Sequence, residues 1–503
     1  MHGVKYIGHL IEDDNHHTRT GSSLGHYFRG LEGQDMAGID DIGGQVFPQG
    51  EEISYNNGAF RHRNGEFYHY VLGKLASSAA AIEPRKAGNS MCEIFGNYGW
   101  QEGVRMEKYL ADHFLVRGIN HFVPHAFSMK EFPDPDCPPH FYAHGHNPQY
   151  RHFGWLMAYM NRVCELISGG QHTAPVALLY FAEGDWTGKT MTDDGIAHVL
   201  ADNQIDYDII PQDVFAEREK FGTKLCREAL EINCRPYRAV VVPYMQYVTA
   251  DFARAVCELA ACQVPLFFVG GCPEGICDFP YRETKQTAEE QRLLLEKVQA
   301  AGRTVDLDRL PEILRERKIS EIIIEPENSR IRCLHYVHDD RTEIYLFVNE
   351  GTELYEGQVI FSSGGENVTA VSSYEYDAWR NQIYPLEEQN GVGKLQIEPL
   401  KSRILCLTPR RFRKKSSAGE LLLLRRTKPS VSCPLSVPGR EASARAIAIR
   451  SSGRRSAFCF RIRLPTKSLN FPDLCAMKIP LTRRKGNASG WRSRTPGKVS
   501  RYL

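Results

Sequence analysis

The sequence predicts an α/β chain: the C-terminal half of a (β/α)8 barrel, then a doubly wound α/β domain, then a small β-sandwich. Three observations carry this expectation. Residues 1–172 alternate short apolar strands with amphipathic helices, residues 174–272 hold continuous apolar runs separated by helices, and from residue 331 to 407 the apolar period becomes two. A chain of 503 residues has room for about two to four domains. The expected divisions are 1–172, 173–325, 326–409 and a tail at 410–503.

In the first segment the expected strands are Lys5–Ile11, Met36–Ile39, Ser90–Ile94 and Ile119–Val123. Helices are expected near Phe67–Ala81, Glu102–Val116 and Tyr150–Ser168. Four strand–helix repeats are too few to close a barrel and match its second half. The start, Met1-His2-Gly3-Val4-Lys5, lacks the basic opening and apolar core of a signal peptide and reads as a chain beginning directly in a strand, as a truncated one would. Polar residues follow each strand: Glu12-Asp13-Asp14-Asn15, Asp40-Asp41, Glu93 and His125. The C-terminal ends of the strands are where barrel enzymes keep their chemistry.

The second segment begins with Ala174–Ala182, continues through Tyr207–Ile210, and contains the apolar runs Ala239–Val242 and Val264–Val269, as in a parallel sheet covered on both faces. Residues 280–318 are charged and read as mainly helical. Beyond them Thr342–Val348 and Lys401–Leu407 are the clearest strands of a sandwich.

Composition narrows the function classes. No run of about 18 apolar residues occurs, so no membrane helix is expected. The net charge of +1 conceals a split: residues 410–503 hold 24 of the 62 Lys+Arg and 3 of the 61 Asp+Glu, leaving 38 basic against 58 acidic residues before them. A body with a charge of −20 does not suit a nucleic-acid partner. The tail reads either as a basic arm or as a disordered extension, and the abrupt change after Pro409 favours the second. The 14 cysteines form no CxxC pair, which points to free thiols in a reducing compartment and a cytoplasmic location.

The strongest local signal is Cys92-Glu93-Ile94-Phe95-Gly96-Asn97-Tyr98-Gly99-Trp100. A carboxylate at a strand end, followed by glycines and aromatic rings, suits a sugar site: the rings stack on a pyranose while the carboxylate acts at the anomeric carbon. The plain alternative is a carboxylate capping the next helix. The second signal is His9-Leu10-Ile11-Glu12-Asp13-Asp14-Asn15-His16-His17. It reads as an acid/base carboxylate with sugar-binding neighbours, as a metal site, or as a solvated loop; without HxxxH or EF-hand spacing no metal or cofactor is assigned. Glycoside cleavage needs two carboxyl groups, one of them with a raised pKa, and Glu93 with Glu12 is the expected pair. Asp40, Tyr98, Trp100, His125, His140 and Asn147 are the expected substrate-binding residues, the last three from a loop dense in His, Pro and aromatics. The turn Gly270-Gly271-Cys272-Pro273-Glu274 has the outline of a cysteine elbow, but Pro273 lacks the N–H that an oxyanion hole needs there, so Cys272 is read as structural.

On these residues a resemblance can be stated. Residues 90–170 resemble the end of the catalytic barrel of glycoside hydrolase family 106, the α-L-rhamnosidases, through Cys92-Glu93-Ile94-Phe95, Gly118-Ile119-Asn120, His125 and the exit at Gly169-Gly170. Residues 174–272 resemble the amidotransferase-like domain that follows the barrel in family 42 β-galactosidases, and 331–407 is similar to their terminal domain. The resemblance implies a nucleophile at the end of strand seven and an acid/base at strand four. Glu93 matches the first position if Ile119–Val123 is strand eight, whereas Glu12 falls on strand five, one strand late, which leaves retaining chemistry open. The expected function is therefore a glycosidase acting on a carbohydrate, without nucleic acid or membrane partners and with a homo-oligomer permitted. The competing expectation is an inactive fragment or a carbohydrate-binding protein using the same pocket.

Overall fold

The computed structural model describes residues 4–9, 16–19, 25–56, 62–277, 287–361, 372–386, 388–389, 391–409, 447–450 and 456–459. Glu12 therefore lies outside the described residues, as does the tail apart from the antiparallel pair Ile447–Arg450 with Ser456–Cys459.

Four parallel strands, β1 (Ile7–Gly8), β2 (Met36–Ile42), β3 (Ser90–Gly96) and β4 (His121–Pro124), pair in sequence order. This is a parallel half-barrel sheet. β1 and β2 approach so closely that a Cβ at Gly38 would lie 2.3 Å from the Gly8 carbonyl oxygen. β4 begins two residues later than the sequence suggests. Gly118 turns with φ +89, and the Asn120 side chain is tied down before it, accepting from Ser90 N at 3.0 Å and donating to the Gly88 carbonyl at 2.9 Å.

A π-helical turn, Phe67–Val71, leads into the helix Leu72–Ile82, and Val104–Leu115 and Tyr150–Leu166 complete the helical layer. The helix 72–82 is buried along its whole length rather than amphipathic. Its outer face is covered by a second parallel sheet, where Ser78 Oγ accepts from Ile209 N at 2.8 Å and Lys74 Nζ donates to Asp206 at 3.0 Å, and at its end Arg235, from a small antiparallel sheet, donates to the Ala81 carbonyl at 2.6 Å. A helix between two sheets has no solvent side, so its residues need only be small or paired.

The second sheet has five parallel strands in the spatial order Arg303–Val305, Leu266–Val269, Ala239–Pro243, Val176–Leu179, Tyr207–Ile210. Two expectations are corrected here. The strand expected over 174–182 stops at Leu179, and Ala182 starts the short helix Ala182–Thr187. The stretch read as helical over 280–318 contains the strand Arg303–Val305, whose three residues are too few to show a period.

Two antiparallel sheets follow. One joins Ile322–Glu325, Tyr355–Phe361, Val392–Ile397 and Glu388–Gln389; the other joins Gln382–Pro385, Ser372–Asp377, Ser402–Thr408, Glu343–Asn349, Ile331–Val337 and Gln171–His172. Their facing side chains, among them Ile324, Tyr345, Phe347, Val359, Leu395 and Leu405, form one apolar cluster. The alternate residues Ile344, Leu346, Val348, Ile404 and Cys406 point the other way, into the main core. Both faces of this sheet are buried, which is why Ile344–Asn349 is buried at every position.

Candidate active site

Glu93 is the fourth residue of β3, aligned with Asp40 of β2 on one side and Val123 of β4 on the other. The ladder is irregular beside it: the register shifts between Asp40 and Ile42, and Phe95 and Asn97 have φ of +78 and +58. A buried phenylalanine in the left-handed region is a strained position, and such strain, like a bulge, concentrates where a strand end must aim side chains. Here it turns the chain between Glu93 and the loop that carries Tyr98 and Trp100.

The side chain of Glu93 is 26% exposed, and His9 Nε2, one residue beyond β1, lies 3.2 Å from its Oε2. Burial pushes the Glu93 carboxyl up, but the hydrogen bond from His9 and the charges of His9 and His125 outweigh it, so the net effect is a value below the usual range. Glu93 is thus a carboxylate at neutral pH, the form a nucleophile or base requires. The structure brings Asp40 to the same point: ligand atoms of His9, Asp40 and Glu93 lie within 4.8 Å of one another. By donor type this trio could hold a divalent cation. A second such group, His26, Glu183 and Asp213, is already neutralised by Arg29, which donates to Asp213 at 2.8 Å.

The remaining expected residues divide. His125 is tied to the end of β3, its N–H donating to the Ile94 carbonyl at 2.8 Å. Trp100 is 42% exposed on the outer rim. Tyr98, His140 and Asn147 hold the loops. The Tyr98 hydroxyl donates to Asp41 Oδ1 at 2.8 Å and lies 3.0 Å from the Val46 carbonyl; His140 is buried with Nε2 at 2.8 Å from the Asp136 carbonyl; Asn147 donates to the His140 carbonyl at 3.2 Å.

β1 ends at Gly8. Sequence reasoning named His9 only as the start of the cluster His9–His17 and put it inside the expected strand Lys5–Ile11, so it did not foresee the pairing with Glu93. It also missed a set of buried acids behind the site. Asp41 is fully buried and held well above the usual carboxylate range, chiefly by burial. Glu102 and Glu107 are pushed up to about 9 and about 7, again chiefly by burial, and both Glu102 oxygens are buried without a hydrogen-bond partner. Asp41 ends an apolar run and reads as a strand-end acid, while Glu102 and Glu107 stand among polar residues, so their burial comes from packing rather than from local sequence.

No protein-family model and no curated protein matches the sequence. Solved structures do match in fold. A rhamnosidase from Novosphingobium sp. PP1Y superimposes with a TM-score of 0.58 at 15% identity, over 83% of this chain and 38% of that one. Gan42B, a GH42 β-galactosidase from G. stearothermophilus, matches as a catalytic mutant with a TM-score of 0.50 at 10% identity, over 80% of this chain and 63% of that one. The chain therefore spans between about two fifths and two thirds of the length of these structures. What is shared with a rhamnosidase and a β-galactosidase is the fold: a parallel half-barrel sheet in a mixed α/β chain.

Proposed function

We propose that this chain supplies the second half of a glycosidase barrel that cleaves a terminal sugar from a glycan, with Glu93 as the ionised member of a carboxylate pair. The division we assign is a partial barrel at 1–172, a doubly wound, amidotransferase-like domain at 173–325 and a β-sandwich at 326–409. The observation that carries the reading is the setting of Glu93: on a barrel strand just before its irregular C-terminal end, partly open, and paired with His9, with a carboxyl held below the usual range. Asp40 does not serve as its partner across the bond. Their oxygens come within 4.8 Å, and an inverting pair needs roughly 6.5–9.5 Å for sugar and water, while a retaining pair must face each other across the sugar. Two carboxylates side by side on neighbouring strands meet neither requirement. We assign Asp40 instead to accepting hydrogen bonds from sugar hydroxyls, and Glu12 to the acid/base role.

The test is a hydrolysis screen of the purified protein on nitrophenyl glycosides, α-L-rhamnoside and β-D-galactoside included, followed by the same assay on Glu93→Gln. Hydrolysis of at least one glycoside by the parent, lost in the variant, is the expected result. No hydrolysis by the parent, together with binding of free sugars, favours the carbohydrate-binding reading.

A further inference from the structure

The rim beside Glu93 exposes more aromatic surface than a soluble loop needs. Trp100 is 42% and Phe132 40% exposed, although both lie in loops where polar residues would cost nothing. They are arranged together. The ring of Phe132 stacks on His146 with centroids 4.2 Å apart and 13° between planes, and Trp100 meets Phe132 edge-on at 5.6 Å.

The loop beneath them is braced. Ser128 Oγ donates to Asp134 at 2.5 Å, Asp134 accepts from the Asp136 N–H at 3.1 Å, and His144 Nε2 lies 2.7 Å from the Lys130 carbonyl. Buried His140 supports Trp100 from below, with ring centroids 5.8 Å apart. The N–H of Gly99 donates to the Pro138 carbonyl at 2.9 Å, stitching the Trp100 loop to the Phe132 loop. These are the loops that follow β3, which carries Glu93, and β4, which precedes His125. Phe132 and His146 cover one face of each other, and the aromatic surface that stays exposed at Trp100 and Phe132 matches the apolar C–H face of a pyranose ring; holding it rigid removes entropy that binding would otherwise lose.

We propose that Trp100, Phe132 and His146 form a binding strip for the sugars beyond the bond that Glu93 cleaves, so that the substrate is a neutral chain of sugars. The inference rests on the glycosidase reading of Glu93 for which bond is cleaved, but the strip binds sugar independently of it. Neutrality rests on the lysine of the loop: Lys130 is paired to Asp134 and Asp136 at 3.4 Å each, so its charge is met by the loop's own acids rather than offered to a uronate carboxylate.

Native electrophoresis in gels cast with galactan, arabinan, xyloglucan or polygalacturonate tests this on the whole protein. Retardation by at least one neutral polymer is expected, weakened roughly tenfold in Phe132→Ala, the effect of losing one stacked ring. Phe132→Trp should restore it, and Glu93→Gln should keep it. Melting curves establish that the variants are folded; if Phe132→Ala fails to fold, His146→Ala takes its place. Retardation by no neutral polymer, or by polygalacturonate alone, overturns the proposal. So does retardation undiminished in folded Phe132→Ala, or a concentration-dependent dimer that this substitution dissociates, which would show the strip to be covered by a second copy. Hydrolysis of nitrophenyl glycosides without retardation removes the strip and leaves the glycosidase reading standing. Retardation with hydrolysis retained in Glu93→Gln supports the strip and removes the role given to Glu93.

Discussion

Glu93 and Glu350 are both held below the ordinary glutamate range, and they sit in opposite surroundings. Glu350, where the helix Val104–Leu115 meets the six-stranded antiparallel sheet, is 5% exposed and saturated with donors. Arg117 donates to it at 2.7 and 3.2 Å, Arg332 at 2.9 Å, and His113 Nδ1 lies at 2.7 Å. Glu93 is about a quarter exposed, with His9 at 3.2 Å. Burial raises both, and neighbouring donors and charges more than reverse it. The lesson is that a lowered pKa does not identify a reactive group. A carboxylate surrounded by guanidinium groups is a structural joint; one that keeps lone pairs facing an opening can act on something else.

Substitution should separate the two. Glu93→Gln is expected to lower turnover by about three orders of magnitude, in the range by which acid–base groups contribute, with the melting temperature unchanged. Glu350→Ala is expected to do the reverse: a loss of about 3–5 kcal/mol in urea unfolding, because Arg117 loses its buried counter-charge and Arg332 keeps only Asp202, and normal turnover per folded molecule. A Glu350→Ala protein that melts like the parent would remove the distinction.

His9→Asn sharpens the comparison from the open side. Without the imidazole the Glu93 carboxyl should rise toward its ordinary range, so the acidic limb of the kcat/KM profile should move to higher pH. Turnover should fall about ten- to a hundredfold through lost positioning. An unmoved acidic limb would show that another group titrates there.

Glu102→Gln tests burial of an acid without any counter-charge, and its effect is read as a pH dependence of stability. Folding raises the Glu102 carboxyl to about 9, so the folded chain keeps a proton that the unfolded chain releases near 4.5. Stability from this group is complete below 4.5 and declines as pH rises toward 9. The glutamine variant lacks that decline, so its unfolding free energy should gain on the parent steadily from pH 5 to pH 9. A constant difference across that range would mean that Glu102 ionises normally.

The sequence made parts of this readable and not others. Parallel strands declared themselves through unbroken apolar runs: Tyr207–Ile210 is placed as expected, and Ala239–Pro243 to within a residue. Glu93 stood out because a strand end, a carboxylate and paired glycines coincide within a few residues. What was not legible depends on contacts between distant segments. His9 meets Glu93 only because β1 pairs with β2, Gly8 opposite Ala37, and β2 pairs with β3, 84 residues of sequence separating the two side chains. Tyr98 read as stacking surface from its place beside Trp100, but its hydroxyl is directed at Asp41. The helix Leu72–Ile82 gave no hint of the second sheet that covers it.

The sheet containing Glu343–Asn349 and Ser402–Thr408 has a practical consequence of this kind. One set of its side chains faces the small apolar cluster and the alternate set faces the main one. The terminal β-segment is therefore not a cassette that can be cut out or exchanged at residue 326. Removing it would strip the lid from the interior of everything before it, and a replacement would have to match two surfaces at once, so grafting this segment onto another scaffold means redesigning both of its faces.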